Sequence, residues 1–436
     1  MKKIVLPILF TCLVSFTFAQ TLKKATSYLD EKNYEKAKTE IDAFLAKTPT
    51  DMEGIYLKSK IYSKIGDSAQ LRSLVSGDAR EEALEAFKKA IADSANMKVK
   101  LMIMKDNYQP VFAVYSSYYE DAAKAFNDAA SAGDKAGFAN AMDLFIKADK
   151  VGQYIGQNKW ANIGQVDTTL VLNIGKSALN AGKNDVAKEY FSKLADAGIS
   201  GTQGKTDESF EVPYQWLVLH YKEAKDSANM NKYAALGKKF YPKDDYFDFV
   251  LMDYYRENKN MPSLFKTYDE LVTKHPDSIH YHFNYANDIF GYLYNSDEGV
   301  VVTNKESLLG TLHSELDKAI KLSPNDVNTN WLYSQYFYNQ GIVTRDQALK
   351  IRSTKPEDVK KKADLNAQAK ASFNEAIPYA DKALTELEAV SKKSDKSRYK
   401  SIVNLMQNIY QSLEQKDKLK LYQDKYDSAD KKFAAE

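Results

Sequence analysis

Apolar residues in this chain step at helical spacing through short runs, pause at polar turns and resume, and between residues 211 and 278 the pattern repeats every 34 residues. Pro242 and Pro276 stand 34 apart. Leu217, Tyr221, Met230, Ala234 and Gly237 recur at that interval as Leu251, Tyr255, Leu264, Tyr268 and Leu271. Each copy breaks at a polar turn, Lys225-Asp226-Ser227 in one and Glu257-Asn258-Lys259-Asn260 in the other. A fixed period of this size predicts stacked helical hairpins, because one hairpin cannot bury its own apolar face.

Similar hairpins extend to both sides. The first runs from Thr21 to Pro49 with a turn at Glu31-Lys32-Asn33, and proline closes it because proline cannot continue a helix but can begin one. A second starts near Met52, turns at Gly66-Asp67 and returns after an insertion through Ala83, Phe87 and Ala90. A third starts near Tyr108 and turns at Gly133-Asp134; a fourth carries Leu170, Ile174 and Gly175, turns at Gly182 and returns through Ala187, Phe191 and Leu194. Beyond Pro276, a 48-residue unit ending at Pro324 reads as the 34-residue repeat with an insertion around Asn295–Lys305. The next opens at Trp331, is expected to break at Gly341, and returns after a long insertion through Ala376, Ala380 and Ala383, with Pro378 expected to kink that helix. A last hairpin, from Ile402 to Tyr426, has the polar outer face of a terminal cap.

The alternation of large and small apolar residues, with Gly or Asp at the turn and Pro at the end, resembles tetratricopeptide (TPR) repeats. The match is clearest in Asn33-Tyr34-Glu35-Lys36-Ala37 through Pro49, in Gly175 through Leu194, and in Tyr214 through Pro276. Met230 and Leu264 depart from it, standing where a small residue is usual. The resemblance implies an all-α solenoid of about nine antiparallel hairpins, a right-handed superhelix, with a concave protein-binding face. It divides the chain into N-terminal repeats over 20–107, middle repeats over 108–210, the best-matching repeats over 211–326, and a C-terminal set over 327–436.

Composition agrees with an all-helical chain. Ten prolines and 18 glycines in 436 residues leave few tight turns for short strands. Thirty tyrosines are the outlier, and they fall at helical spacing, as core or groove residues would. Residues 1–19 form a separate object: Lys2 and Lys3, an apolar run, then Thr17-Phe18-Ala19, the pattern of a secretory signal peptide cut before Gln20. Cys12 lies inside the apolar run behind Phe10 and Thr11, which are too large for a lipoprotein site, and it is the single cysteine. The mature chain is therefore expected to be exported, periplasmic or secreted, without disulfide or thiolate metal site. Losing Lys2 and Lys3 leaves 59 basic against 59 acidic residues, a balance that disfavours nucleic acid as a partner.

The search for chemistry yields little. Gly198, Gly204, Lys205 and Thr206 mimic P-loop spacing, but a helix precedes them and Asp207-Glu208 follows, so they read as a loop between repeats. His280 and His282 are two residues apart and should face different ways, which is poor zinc-ligand spacing. No catalytic residue, metal or cofactor is expected.

One constellation stands out. On three successive outgoing helices, residues at i, i+4 and i+7 share a face: Phe249, Asp253 and Arg256; Phe283, Asn287 and Phe290; Trp331, Gln335 and Tyr338. In TPR-like arrays that face lines the concave groove, so these nine are the expected partner-binding residues. They suit a protein or extended peptide, or alternatively a glycan. The Lys and Asn pattern with which some TPR domains clamp C-terminal carboxylates is absent from these positions.

Overall fold

The computed structural model describes residues 20–93, 96–160, 167–295, 302 and 304–434. The signal-peptide reading, Cys12 and most of the insertion after Asn295 lie outside them.

Nineteen helices occur among the described residues, making nine hairpins and one short extra helix, Met97–Lys105, that the periodicity did not announce. The fold is all-α and TPR-like. Two compact units divide it, one ending at Phe247 and the next beginning at Asp248. The first unit holds five hairpins. These are 20–30 with Tyr34–Lys47, Met52–Asp67 with Ala79–Ala92, Gln109–Ala132 with Lys135–Gln157, Thr168–Asn180 with Asn184–Asp196, and Glu211–Glu223 with Ser227–Phe240. The second unit pairs most of Tyr246–Glu257 with Met261–Lys274. It continues with Ile279–Tyr294 and Lys305–Leu322, Val327–Lys350 and Pro356–Val390, and Lys396–Ser412 and Lys416–Lys432.

The turns explain where the helices begin. A residue in the left-handed region (Lys32, Gly182, Lys225, Lys259) is followed by the residue that caps the next helix. Asn33, Asp226 and Asn260 each accept an N–H from the new helix's first turn through a side-chain oxygen. These polar residues are what breaks the apolar pattern.

Small residues set the close approaches. Ala37, Ala83, Ala141, Ala187 and Ala286 are fully buried, and a Cβ added at Gly175 would run into the ring of Phe191. The same contact corrects the reading of Gly341. No turn forms there: the helix Val327–Lys350 runs straight through it, and Gly341 lies under the Phe373 ring of Pro356–Val390. The expected insertion is helix as well, since these two helices are simply longer than their counterparts, and the second continues past Pro378. Helix extension satisfies the backbone of the extra residues internally, which a long loop would have to do through water.

The tyrosines have a shared task. Tyr62 donates to Asp42, Tyr118 to Asp78, Tyr233 to Asp196, Tyr285 to Asp269, Tyr333 to Asp317 and Tyr422 to Asp381, each bond joining one hairpin to the next. The Asp269–Tyr285 clip recurs 48 residues later as Asp317–Tyr333, with the same separation of 16. Burial, then the adjoining carboxylate, pushes the Tyr62, Tyr285 and Tyr333 phenols well above their ordinary pKa.

The stretch read as a loop between repeats carries a two-stranded hairpin, Gly201–Thr202 with Lys205–Thr206, turning through Gln203 and Gly204 at positive φ. Of the two histidines, His280 is exposed while His282 is buried, its Nδ1 2.5 Å from a Glu315 carboxylate oxygen and its Nε2 2.8 Å from the Pro276 carbonyl.

Candidate functional site

In the second unit, the helices Tyr246–Glu257, Met261–Lys274 and Ile279–Tyr294 leave an open hollow of about 410 Å³. Four of the nine expected groove residues meet there: Phe249, Asp253, Arg256 and Asn287. Helical spacing puts Phe249, Asp253 and Arg256 on one stripe, and the following outgoing helix presents Asn284 and Asn287 beside it. Phe249 is 44% exposed, unusual for a phenylalanine, and its ring lies 6.1 Å from that of Tyr281.

In the hollow one guanidinium serves two carboxylates. Arg256 donates to Asp253 at 3.1 Å, to Asp288 at 2.9 Å and to the Tyr268 hydroxyl at 3.3 Å. Tyr268 in turn donates to the same Asp288 oxygen at 2.7 Å. Burial works against the Arg256 charge, but Asp288 outweighs it and holds the guanidinium above its ordinary pKa; burial, with Asp288 next, raises the Tyr268 phenol. The arrangement offers a fixed ion pair flanked by two side-chain amides and an exposed ring.

The other five expected residues are placed differently. Phe290 is 8% exposed and belongs to the second unit's core, its ring 4.8 Å from Tyr294, which corrects its reading as a groove residue. Its helix packs on more than one neighbour, so the apolar stripe is wider than one face and burial of a phenyl ring wins at its edge. Phe283 is half-buried against the same core. Trp331 and Tyr338 pack partly buried against a second core cluster, Tyr338 with its ring 5.7 Å from Phe373. Gln335 is half-buried. None of these last four lines the hollow.

Sequence reasoning missed Asn284 and Asp288, and it placed Tyr268 among the repeat's packing positions. Asp288 could have been suspected, since it stands one residue off the 34-residue beat from Asp253.

The first unit holds a larger and more enclosed cavity, about 800 Å³, between the helices Gln109–Ala132, Lys135–Gln157, Thr168–Asn180 and Asn184–Asp196. Among the described residues, no cluster of three His, Cys, Asp or Glu could hold a metal ion, and no helix is long and apolar enough to cross a membrane.

No family model matches the chain, and no curated protein matches it in sequence. Solved structures do. The crystal structure of the P58(IPK) TPR domain matches at 11% identity over 92% of this chain and 99% of its own, with a TM-score of 0.25. The human IFIT1 dimer with PPP-AAAA matches at 12% identity over 87% of this chain and 95% of its own, with a TM-score of 0.22. The Cut9–Hcn1 hetero-tetramer of the APC/C matches at 12% identity over 90% and 78%, with a TM-score of 0.20. At scores this low, the TPR-like reading stands on the chain's own hairpins.

Proposed function

We propose that this chain is an exported, non-enzymatic scaffold of a bacterial cell envelope that holds an extended segment of a protein partner in the hollow beside Arg256. The observation that carries the reading is the exposed Phe249 ring set among Asp253, Asn284 and Asn287. An unshielded aromatic is the usual anchor of a binding hot spot. Side-chain amides donate and accept at once, as a peptide backbone needs. With Arg256 already paired to both Asp253 and Asp288, the hollow favours backbone and apolar groups over an anionic ligand. Export is supported by the Lys2-Lys3, apolar-run and Ala19 pattern. Nucleic acid is no part of this reading, since the mature chain's basic and acidic residues balance.

The test is a pull-down from envelope fractions with the wild-type chain and Phe249→Ala. Loss of the captured protein with an unchanged melt supports the proposal. Undiminished capture by the variant overturns the assignment of the hollow. A parallel glycan array addresses the other ligand that Phe249 and Tyr281 could stack against, and sugar binding lost in Phe249→Ala would replace the peptide with a glycan.

A further inference from the structure

We propose that the cavity of the first unit is a binding site for a small organic cation, a primary ammonium on an apolar body. Its size, about 800 Å³, lies within the range of small-molecule sites. Tyr115, Ala197 and Ile199 line it with accessible apolar surface, over the fully buried Leu170, Val171 and Leu194. Against this wall stands one buried acid. Asp149 is 7% exposed and lines the cavity, and its one hydrogen bond among the described residues comes from Gln153 Nε2, 2.8 Å from Oδ2.

The other charges of the cavity make no hydrogen bond to it among the described residues. Asp167 is taken up by the Tyr115 hydroxyl at 2.7 Å and by the Leu170 N–H at 3.0 Å. Lys193 is bound to Glu189 at 2.7 Å with its side chain 46% exposed, and Lys159 is exposed as well. Lys193 nevertheless shows what the wall accepts, since its ammonium lies 4.1 Å from the centre of the Tyr190 ring. A ligand ammonium reaching Asp149 from the cavity would gain a charge-assisted hydrogen bond to its carboxylate that outweighs the like charge of Lys193 over Tyr190. Its apolar body would lie against Tyr115, Ala197 and Ile199. An anion of the same shape would meet Asp149 with like charge.

Isothermal titration of the full chain with 2-phenylethylammonium, 3-phenylpropionate and 3-phenylpropanol tests this directly. The ammonium should saturate the protein, and the acid and alcohol should bind at least about tenfold more weakly. Asp149→Asn keeps the shape and should weaken the ammonium about tenfold or more. Gly156→Trp is an independent block: Gly156 lines the cavity, and a Cβ built there meets nothing within 4 Å, so a larger side chain can start there without a backbone clash. It should abolish binding with an unchanged melt, and it decides the matter if Asp149→Asn fails to fold. Equal binding of the three probes, ammonium binding indifferent to either variant, or no ammonium binding at all would overturn the proposal.

Discussion

Around Arg256, the guanidinium reaches Asp253, Asp288 and Tyr268, and Asp288 is held a second time by the Tyr268 hydroxyl. Around Asp149, a buried carboxylate faces a cavity with a single hydrogen bond from Gln153. Both places are made where three or four helices of successive hairpins diverge, so the scaffold does not explain the difference. What differs is whether the neighbouring helices bring partners for the charge. In the second unit Asp288 and Tyr268 complete the ion pair, and what remains for a ligand is the Phe249 ring. In the first unit the acid is left incomplete, and the charge itself is what a ligand would meet. Satisfied charge contributes to the fold, whereas unsatisfied buried charge costs stability and is retained where something else requires it.

The strongest way to break this contrast is to break the frame of the cavity. Gly175 lies on the helix that carries Leu170 and Val171, and Phe191, pressed against it, lies on the helix that carries Tyr190 and Leu194. Gly175→Leu should cost about 3 kcal/mol in a urea melt followed by circular dichroism. Lys183→Leu, at the cap of the same turn, should stay within about 0.5 kcal/mol of wild type. The reverse order would mean that the hairpin boundaries are misplaced.

Next comes Phe249→Ala, expected to weaken partner binding by about 2 kcal/mol while leaving the melt almost unmoved. Trp331→Ala should do the opposite, because Trp331 packs against a core cluster and Phe249 does not. Tyr268→Phe probes the satisfied side. Deleting the hydroxyl that bridges Asp288 and Arg256 should cost about 1 kcal/mol, and no cost would show that the ion pair needs no phenol.

The smallest effect has the opposite sign. Burial pushes the Asp149 carboxyl above its ordinary value of 3.8, against the pull of Lys193 and Gln153. The folded chain therefore holds that proton more tightly than the unfolded chain, and ionisation costs stability as pH rises above the ordinary carboxyl value. Asp149→Asn should remove the cost, giving no gain near about pH 3 and a gain on the order of 0.5 kcal/mol near about pH 7. A lower midpoint for the variant near neutrality would show that the carboxylate supports the fold, and the contrast with Arg256 would disappear.

The hairpins were legible because their signals are local: a capping Asn or Asp, an apolar step, a closing proline. Gly341 was misread because a glycine required for close approach and one required for a turn look alike until Phe373, 32 residues on, is brought against it. Phe290 was misread because a face counted at i, i+4 and i+7 says nothing of how many neighbours share the helix. Phe249, Asp253 and Arg256 share the hollow because helical spacing puts them on one stripe, and Asn287 joins them at the 34-residue interval from Asp253. Asp149 gave no signal at all, since an acid in a helix ordinarily faces water and only the packing of four helices hides this one.

The tyrosine–carboxylate clips have a mechanical consequence. Apolar helix faces can slide past each other with little change in buried area, so greasy contact alone leaves the pitch of a stack poorly determined. A phenol paired with a carboxylate resists such slip, because moving one hairpin by a turn would leave the buried phenol without its acceptor. The clips therefore act as detents, each locking one joint at one setting. Forced apart, such a stack should yield in discrete steps, one joint at a time, rather than stretch smoothly.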